Sequence, residues 1–263
     1  MQYPLVSVVI PAYSEQDRIE STIRRISEYL AGHPFTHEII VVIDGKDDQT
    51  FVRAKTIEDK KIKVIGYETN HGKGYAVRFG MARTTGDIVA FIDAGMDLDP
   101  NGLSMLLEHF EWYNADIIVG SKRHPASQID YPLQRKIISW VYQMMVKVLF
   151  GLNIRDTQAG IKFYKRTVLE NVLPRLIVKT YAFDIEILAV AHSLGYKRIF
   201  EAPIRLSWNL EGSVVSRSIL KSILSVLWDT AAVFYRLKIL HYYDDANKRK
   251  WRFDKELSFR VNV

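Results

Sequence analysis

The stretch Ile88-Val89-Ala90-Phe91-Ile92-Asp93-Ala94-Gly95-Met96-Asp97-Leu98-Asp99-Pro100 changes character twice. Its first five residues are apolar and mostly β-branched, as in a strand buried on both faces. Asp99-Pro100 then opens a helix, with Asp at the N-cap and Pro at the first helical position, and residues 103–113 continue it. Between strand and helix stand Asp93 and Asp97. Strand, acidic loop and helix together form the repeating unit of an α/β sheet.

Working outward, the same unit recurs. Residues 6–10, 38–43, 62–65 and 116–119 are further short apolar runs that predict strands. Ser14, with Asp17 three residues on, is a candidate helix cap, and Ile19, Ile23, Ile26 and Leu30 repeat at helical spacing. Residues 74–83 predict a helix after a glycine-containing turn. Such alternation implies an α/β fold, a mostly parallel sheet with helices on both faces. Ligands of these sheets lie beyond the carboxyl ends of the strands. Here those positions are 11–15, 44–48, 93–99 and 120–123, and three of the four carry carboxylates.

The second half is less regular. Residues 135–151 predict an amphipathic helix whose only charges are basic, and 181–194 a helix ending at Gly195. Residues 204–208 read as a strand, 209–216 as a polar loop, and 218–243 as a long aromatic-rich helix before a charged tail.

Composition narrows the function. The net charge of +6 suits anionic partners such as nucleotides, phosphates or an acidic membrane surface. No nucleic-acid-binding motif accompanies it. The absence of cysteine removes disulfides, thiolate metal sites and a cysteine nucleophile. Met1-Gln2-Tyr3-Pro4 leads straight into the first strand without the marks of a signal peptide. The longest apolar candidate, residues 137–146, is about half of the roughly 20 residues that span a bilayer. Any membrane role is therefore expected to be peripheral.

Several motifs occur in a fixed order. Val8-Val9-Ile10-Pro11-Ala12-Tyr13-Ser14-Glu15 is followed by Val41-Val42-Ile43-Asp44-Gly45-Lys46-Asp47-Asp48 and Asn70-His71-Gly72-Lys73-Gly74-Tyr75-Ala76-Val77-Arg78. The acidic stretch at 91–100 comes next. Together they resemble glycosyltransferase family 2. Asp156-Thr157-Gln158-Ala159-Gly160-Ile161-Lys162, Ala182-Phe183-Asp184-Ile185-Glu186 and Ala202-Pro203-Ile204-Arg205 resemble its polyprenyl-phosphate branch. That branch holds the dolichyl-phosphate glucosyltransferases and dolichyl-phosphate mannose synthases.

The resemblance implies a GT-A fold over residues 1–212 and a helical, membrane-associating appendage over 213–263. It implies that Pro11, Tyr13, Glu15, Asp44, Lys73 and Asp93 bind the nucleotide-sugar, a UDP- or GDP-hexose. A divalent cation, Mg or Mn, would be held by carboxylates after the strand, where hard oxygen ligands suit it. Gly95 stands where the family usually has its second acidic residue, so Asp93 and Asp97 become the expected metal pair. Asp99 reads as a helix cap. Ile43 replaces a frequent first aspartate, leaving Asp44 alone for base recognition.

The acceptor side is basic. Lys122 and Arg123 follow a strand, and Arg135 and Ser139 lie four residues apart on one helix face. With Arg217 they are the expected grip on an anionic acceptor, since guanidinium matches phosphate. Asp93, Lys122 and Arg135 are the expected catalytic groups. The implied reaction is inverting transfer of glucose or mannose to polyprenyl or dolichyl phosphate at the cytoplasmic membrane face. A phosphate acceptor is already ionised near neutral pH and needs no general base. That leaves Asp184 either as an organiser of basic residues or, for a sugar-hydroxyl acceptor, as the base. A nucleotide-sugar-binding protein without catalysis is the third reading, motivated by Gly95.

Overall fold

The computed structural model describes residues 4–46, 48–94, 102–127, 133–204 and 219–262, with side chains from 138 in the helix at 133 and from 225 in the helix at 219. The strands are β1 (Val6–Ala12), β2 (His37–Asp44), β3 (Ile62–Tyr67), β4 (Ile88–Ile92), β5 (Ile117–Ser121), β6 (Ile161–Lys165) and β7 (Ile199–Pro203). They form one sheet in the order β3-β2-β1-β4-β6-β5-β7. All neighbours are parallel except β6, which runs antiparallel to both β4 and β5.

Alternation along each strand feeds two cores. Val8, Ile10, Ile39 and Val41 face α1 (Ile19–Ala31), α2 (Thr50–Lys55) and α4 (Gly102–Trp112). Val9, Ile40, Val42 and Phe91 face α3 (Lys73–Met81), α6 (Arg166–Val172) and α7 (Phe183–Ser193), with parts of α5 (Leu133–Phe150) and α8 (Ile219–Phe234). The expected stripe on α1, Ile19, Ile23, Ile26 and Leu30, is buried as its spacing requires. Close approach sets α3 on the sheet. A Cβ at Gly80 would lie 2.5 Å from Val9 and 2.8 Å from Val42.

Four readings need correction. Ser14 does not cap α1: it has φ +54°, and the helix begins beyond Arg18 with no side-chain cap. The carbonyl of Glu15 instead accepts from the Arg18 and Ile19 amides. The expected strand at 204–208 is displaced to Ile199–Pro203, and residues 205–218 lie outside the described residues. Strand β6 went unread because two lysines interrupt its five residues. The helix expected to 243 ends at Phe234 and passes into a π-helical turn at Tyr235–Ile239.

The charged tail also has structure. β8 (Arg252–Asp254) and β9 (Phe259–Val261) form a hairpin against α3. Leu257 is buried in the same core as Val77 and Phe183. The Asn262 amide donates to the Pro174 carbonyl at 2.8 Å, and the Arg78 guanidinium lies over the Phe259 ring. Glu256 accepts from the Tyr75 hydroxyl. Apolar burial explains why a polar segment docks here. We expect Leu257→Ala to lower unfolding free energy by about 2–5 kcal/mol in urea titration, the usual cost of emptying a buried leucine site. A surface tail would show almost no change.

Candidate active site

Strand β4 ends at Ile92 and delivers Asp93 to the carboxyl edge of the sheet. The antiparallel neighbour fixes it there, because the Asp93 amide donates to the Gly160 carbonyl at 2.9 Å. Gly160 also makes room for the carboxylate. A Cβ at that position would sit 2.4 Å from Asp93 Oδ2 and 2.9 Å from its Cγ.

Four charges run inward from this point. Lys73 Nζ lies 3.0 Å from both Asp93 oxygens and 3.4 Å from Asp184 Oδ2. Asp184 Oδ1 accepts from Lys162 Nζ at 2.6 Å, and Lys162 also donates to the Ala159 carbonyl at 2.7 Å. Exposure falls along the series: the Asp93 side chain is 40% exposed, Lys73 17%, Asp184 1% and Lys162 0%. Both ammonium groups lie over the Phe91 ring, at 5.3 and 5.0 Å from its centroid. Burial opposes the Lys73 charge, but Asp184 and then Asp93 outweigh it and hold its pKa above that of an ordinary lysine. For Lys162 burial wins, and its pKa lies below the ordinary value despite Asp184.

Two contacts shape the turn that carries Lys73. Asp44, buried at the end of β2, accepts from the Tyr67 hydroxyl and from the His71 and Gly72 amides at 2.9, 2.7 and 2.9 Å. Opposite it, the Lys179 carbonyl accepts from the Gly74 amide at 2.8 Å. Gly72 has φ +98°, and a Cβ there would lie 2.6 Å from that carbonyl, so glycine is required on both grounds. Asp44 thus builds the turn from below. Of the other expected donor residues, Pro11 is buried opposite Val42, Tyr13 is half exposed, and the Glu15 amide donates to Thr50 Oγ1.

Two of the expected acceptor-side residues, Arg123 and Ser139, line a cavity of about 460 Å³, and Lys122 does not. Ile138, Val141, Met145, Val226 and Leu227 make its apolar walls, between α5 and α8. Arg123, Ser139, Thr157 and Gln158 make its polar end. Arg123 is braced by the Ser139 and Arg155 carbonyls at 2.9 and 2.7 Å and by Gln143. Thr157 Oγ1 and Gln158 Nε2 are buried at this end, beside the Tyr142 phenol. The Lys122 amide donates to Asp156, whose pKa burial raises. Residues 156–160 therefore touch Asp93 at one end and this cavity at the other. Asp97, Gly95, Asp99, Arg217 and the Arg135 side chain lie outside the described residues.

Glu186 is fully buried and serves the fold. It accepts from the Tyr243 hydroxyl at 2.7 Å and from the Ile177 and Val178 amides, and burial raises its pKa. The sequence motif 156–162 contains Gly160 and Lys162 but assigns neither a role. The available signal was a lysine on the same strand face as Tyr164, a position that strand alternation buries.

Residues 7–173 match glycosyl transferase family 2, more than half of the chain. The chain belongs to this family. Among its relatives in the family, a dolichyl-phosphate beta-glucosyltransferase of Drosophila melanogaster is 34% identical over 205 residues, 72% of this chain and 63% of that one. This chain thus spans just under two thirds of the fly protein. An undecaprenyl-phosphate mannosyltransferase of Micrococcus luteus is 30% identical over 207 residues, covering 76% of this chain and 82% of that one. In fold, the chain is similar to glucosyl-3-phosphoglycerate synthase from Mycobacterium tuberculosis, solved with Mn2+, UDP and phosphoglyceric acid. The TM-score is 0.65 at 20% identity, over 99% of this chain and 87% of that one. The mostly parallel seven-stranded sheet with its flanking helices is accordingly a GT-A fold.

Among the described residues, no group of three or more acidic or histidine side chains could hold a metal ion. Asp93 nevertheless fits one: it is a hard carboxylate at the open edge of the sheet, and a cationic ammonium already sits between its two oxygens. We expect Gly160→Ala to leave the fold intact and to push Asp93 off its position. Loss of turnover on the order of 10²-fold, with an unchanged melting temperature by circular dichroism, is the expected result. Undiminished turnover would show that Asp93's position is not critical.

Proposed function

We propose that this protein is an inverting glycosyltransferase that moves a hexose from a nucleotide-sugar to a polyprenyl phosphate. The observation that carries this reading is the loop 156–160, which joins the Asp93 corner to a cavity with a basic polar end and apolar walls. A lipid phosphate has those two parts: a charged head suited to Arg123, Ser139 and Gln158, and an apolar chain suited to Ile138, Met145 and Leu227. The fly and M. luteus relatives are named for dolichyl phosphate and undecaprenyl phosphate, which supports the same acceptor class. Their sugars, glucose and mannose, are the two hexoses to test first.

Asp184 bears on the choice of acceptor. A sugar hydroxyl would need a base, and Asp184 has each of its oxygens on an ammonium group. A phosphate oxygen attacks without one. In this mechanism the acceptor oxygen bonds to the anomeric carbon as the bond to the diphosphate breaks, on opposite faces, so the configuration inverts. The chain's part is positioning and charge stabilisation. A bound divalent cation, such as the Mn2+ in the M. tuberculosis synthase structure, supplies charge to the leaving diphosphate. We assign Asp93 and Asp97 to hold it, and Arg135 and Lys122 to the acceptor phosphate.

The surface favours a membrane site for the acceptor. Trp140, Val141 and Val148 on α5 and Trp228 on α8 are exposed, followed by Tyr235, Ile239 and Leu240. No helix among the described residues is long and apolar enough to cross a bilayer. Aromatic and aliphatic groups among lysines suit the interfacial layer. We expect the double substitution Trp140→Ala, Trp228→Ala to weaken sedimentation with anionic vesicles by about tenfold, as two interfacial anchors are removed. Unchanged sedimentation would place the acceptor site off the membrane.

The function is tested by incubating the protein with UDP-glucose or GDP-mannose, Mg or Mn, and either a polyprenyl phosphate or a sugar-hydroxyl acceptor. Mass spectrometry of the lipid should show one added hexose on the phosphate only. Transfer to hydroxyl alone, or donor binding without transfer, would refute the proposal. Asp97→Ala should abolish metal-dependent turnover, and retained turnover would remove Asp97 from the metal site.

A further inference from the structure

The donor corner already contains a cation. Lys73 Nζ is equidistant, at 3.0 Å, from the two Asp93 oxygens, the side of the carboxylate that a metal would share. Its other neighbour, Asp184, is held in place by Lys162 and by burial. Lys73 is therefore tied to one fixed carboxylate and one exposed carboxylate. Asp44 and Lys179 fix its backbone, so any movement belongs to the side chain.

We propose that Lys73 is an internal counter-cation for Asp93, which it must release when a divalent cation and the donor diphosphate arrive together. This rests on the reading of Asp93 as the donor-site carboxylate. The physical argument is charge balance. Two cations cannot share one carboxylate at close range without strong mutual repulsion. A metal ion alone gains Asp93 only by displacing Lys73 and leaving that ammonium beside it. Arrival with a diphosphate gives the displaced ammonium a new anionic partner, while Asp184 remains its second carboxylate neighbour. Lys73 thereby makes metal binding depend on nucleotide binding. Asp184 is the positioning residue of the device: it touches no substrate and acts through Lys73.

The test needs no turnover. Mn2+ binding to the 263-residue chain is measured from the free-ion electron paramagnetic resonance signal, alone and with saturating UDP or GDP. The variants are Lys73→Met, Lys73→Arg and Asp93→Asn, with melting temperatures recorded beside each. Lys73→Met should bind Mn2+ without nucleotide at least about tenfold more tightly than the unaltered protein, because the competing charge is gone. The factor by which nucleotide tightens Mn2+ binding should shrink correspondingly, as linkage requires. Lys73→Arg keeps the charge and should stay near the unaltered value, which also separates a charge effect from a packing defect. Equal or weaker nucleotide-free binding in a folded Lys73→Met protein would overturn the proposal. So would nucleotide-free binding by Lys73→Arg as tight as by Lys73→Met. If Asp93→Asn leaves nucleotide-dependent Mn2+ binding untouched, the donor-site reading of Asp93 fails first, and this inference with it.

Discussion

Two ammonium groups over one phenylalanine ring repel each other unless a carboxylate stands between them. Asp184 is that carboxylate, with one oxygen on Lys162 and the other on Lys73. Lys162 is wholly buried, so removing Asp184 would strand a charge at a cost of about 3–5 kcal/mol. The same residue joins three elements: β6 through Lys162, the start of α3 through Lys73, and α7 on which it sits. Much of the site geometry follows from this one neutralisation. It holds the antiparallel strand, the glycine turn and the end of β4 in a single arrangement.

Around that centre the backbone is set by close approach. Gly160 lets β6 run tightly past Asp93, and Gly72 and Gly74 let the Lys73 turn rest on residues 178–183. Asp44 stiffens the turn from the other side by accepting from its His71 and Gly72 amides, and is itself held by the Tyr67 hydroxyl. Rigid surroundings leave the Lys73 side chain as the part able to respond to a ligand. Function and stability are therefore carried by different atoms of neighbouring residues.

The apolar helices and the C-terminal hairpin extend the same division. One side of α8 enters the core through Val233, while Trp228 faces outward. Leu257 and Tyr243 bring the tail onto α3 and α7, where Tyr243 also satisfies Glu186. A segment rich in charge is thus part of the support for α3, whose first residue is Lys73. The cavity between α5 and α8 is lined by residues 156–158 of the loop whose Gly160 meets Asp93, so the proposed donor and acceptor sites would share that loop.

The sequence by itself determined the α/β class, the first five strands, the α1 stripe and the position of Asp93. Each depends on local periodicity or on a group placed directly after a strand, and periodicity is a property of the chain alone. It also pointed to Lys73, Asp184, Arg123 and Ser139 as residues of interest. Their partners could not be read from it. Lys73 meets Asp184 across 111 positions of sequence, and Glu186 meets Tyr243 across 57. Strand β6 was hidden because a buried lysine breaks the apolar pattern, and only the tertiary structure supplies the carboxylate that makes its burial tolerable. Asp93 therefore had its place set by a strand end, while the cation beside it was decided by how β4, β6, α3 and α7 pack together.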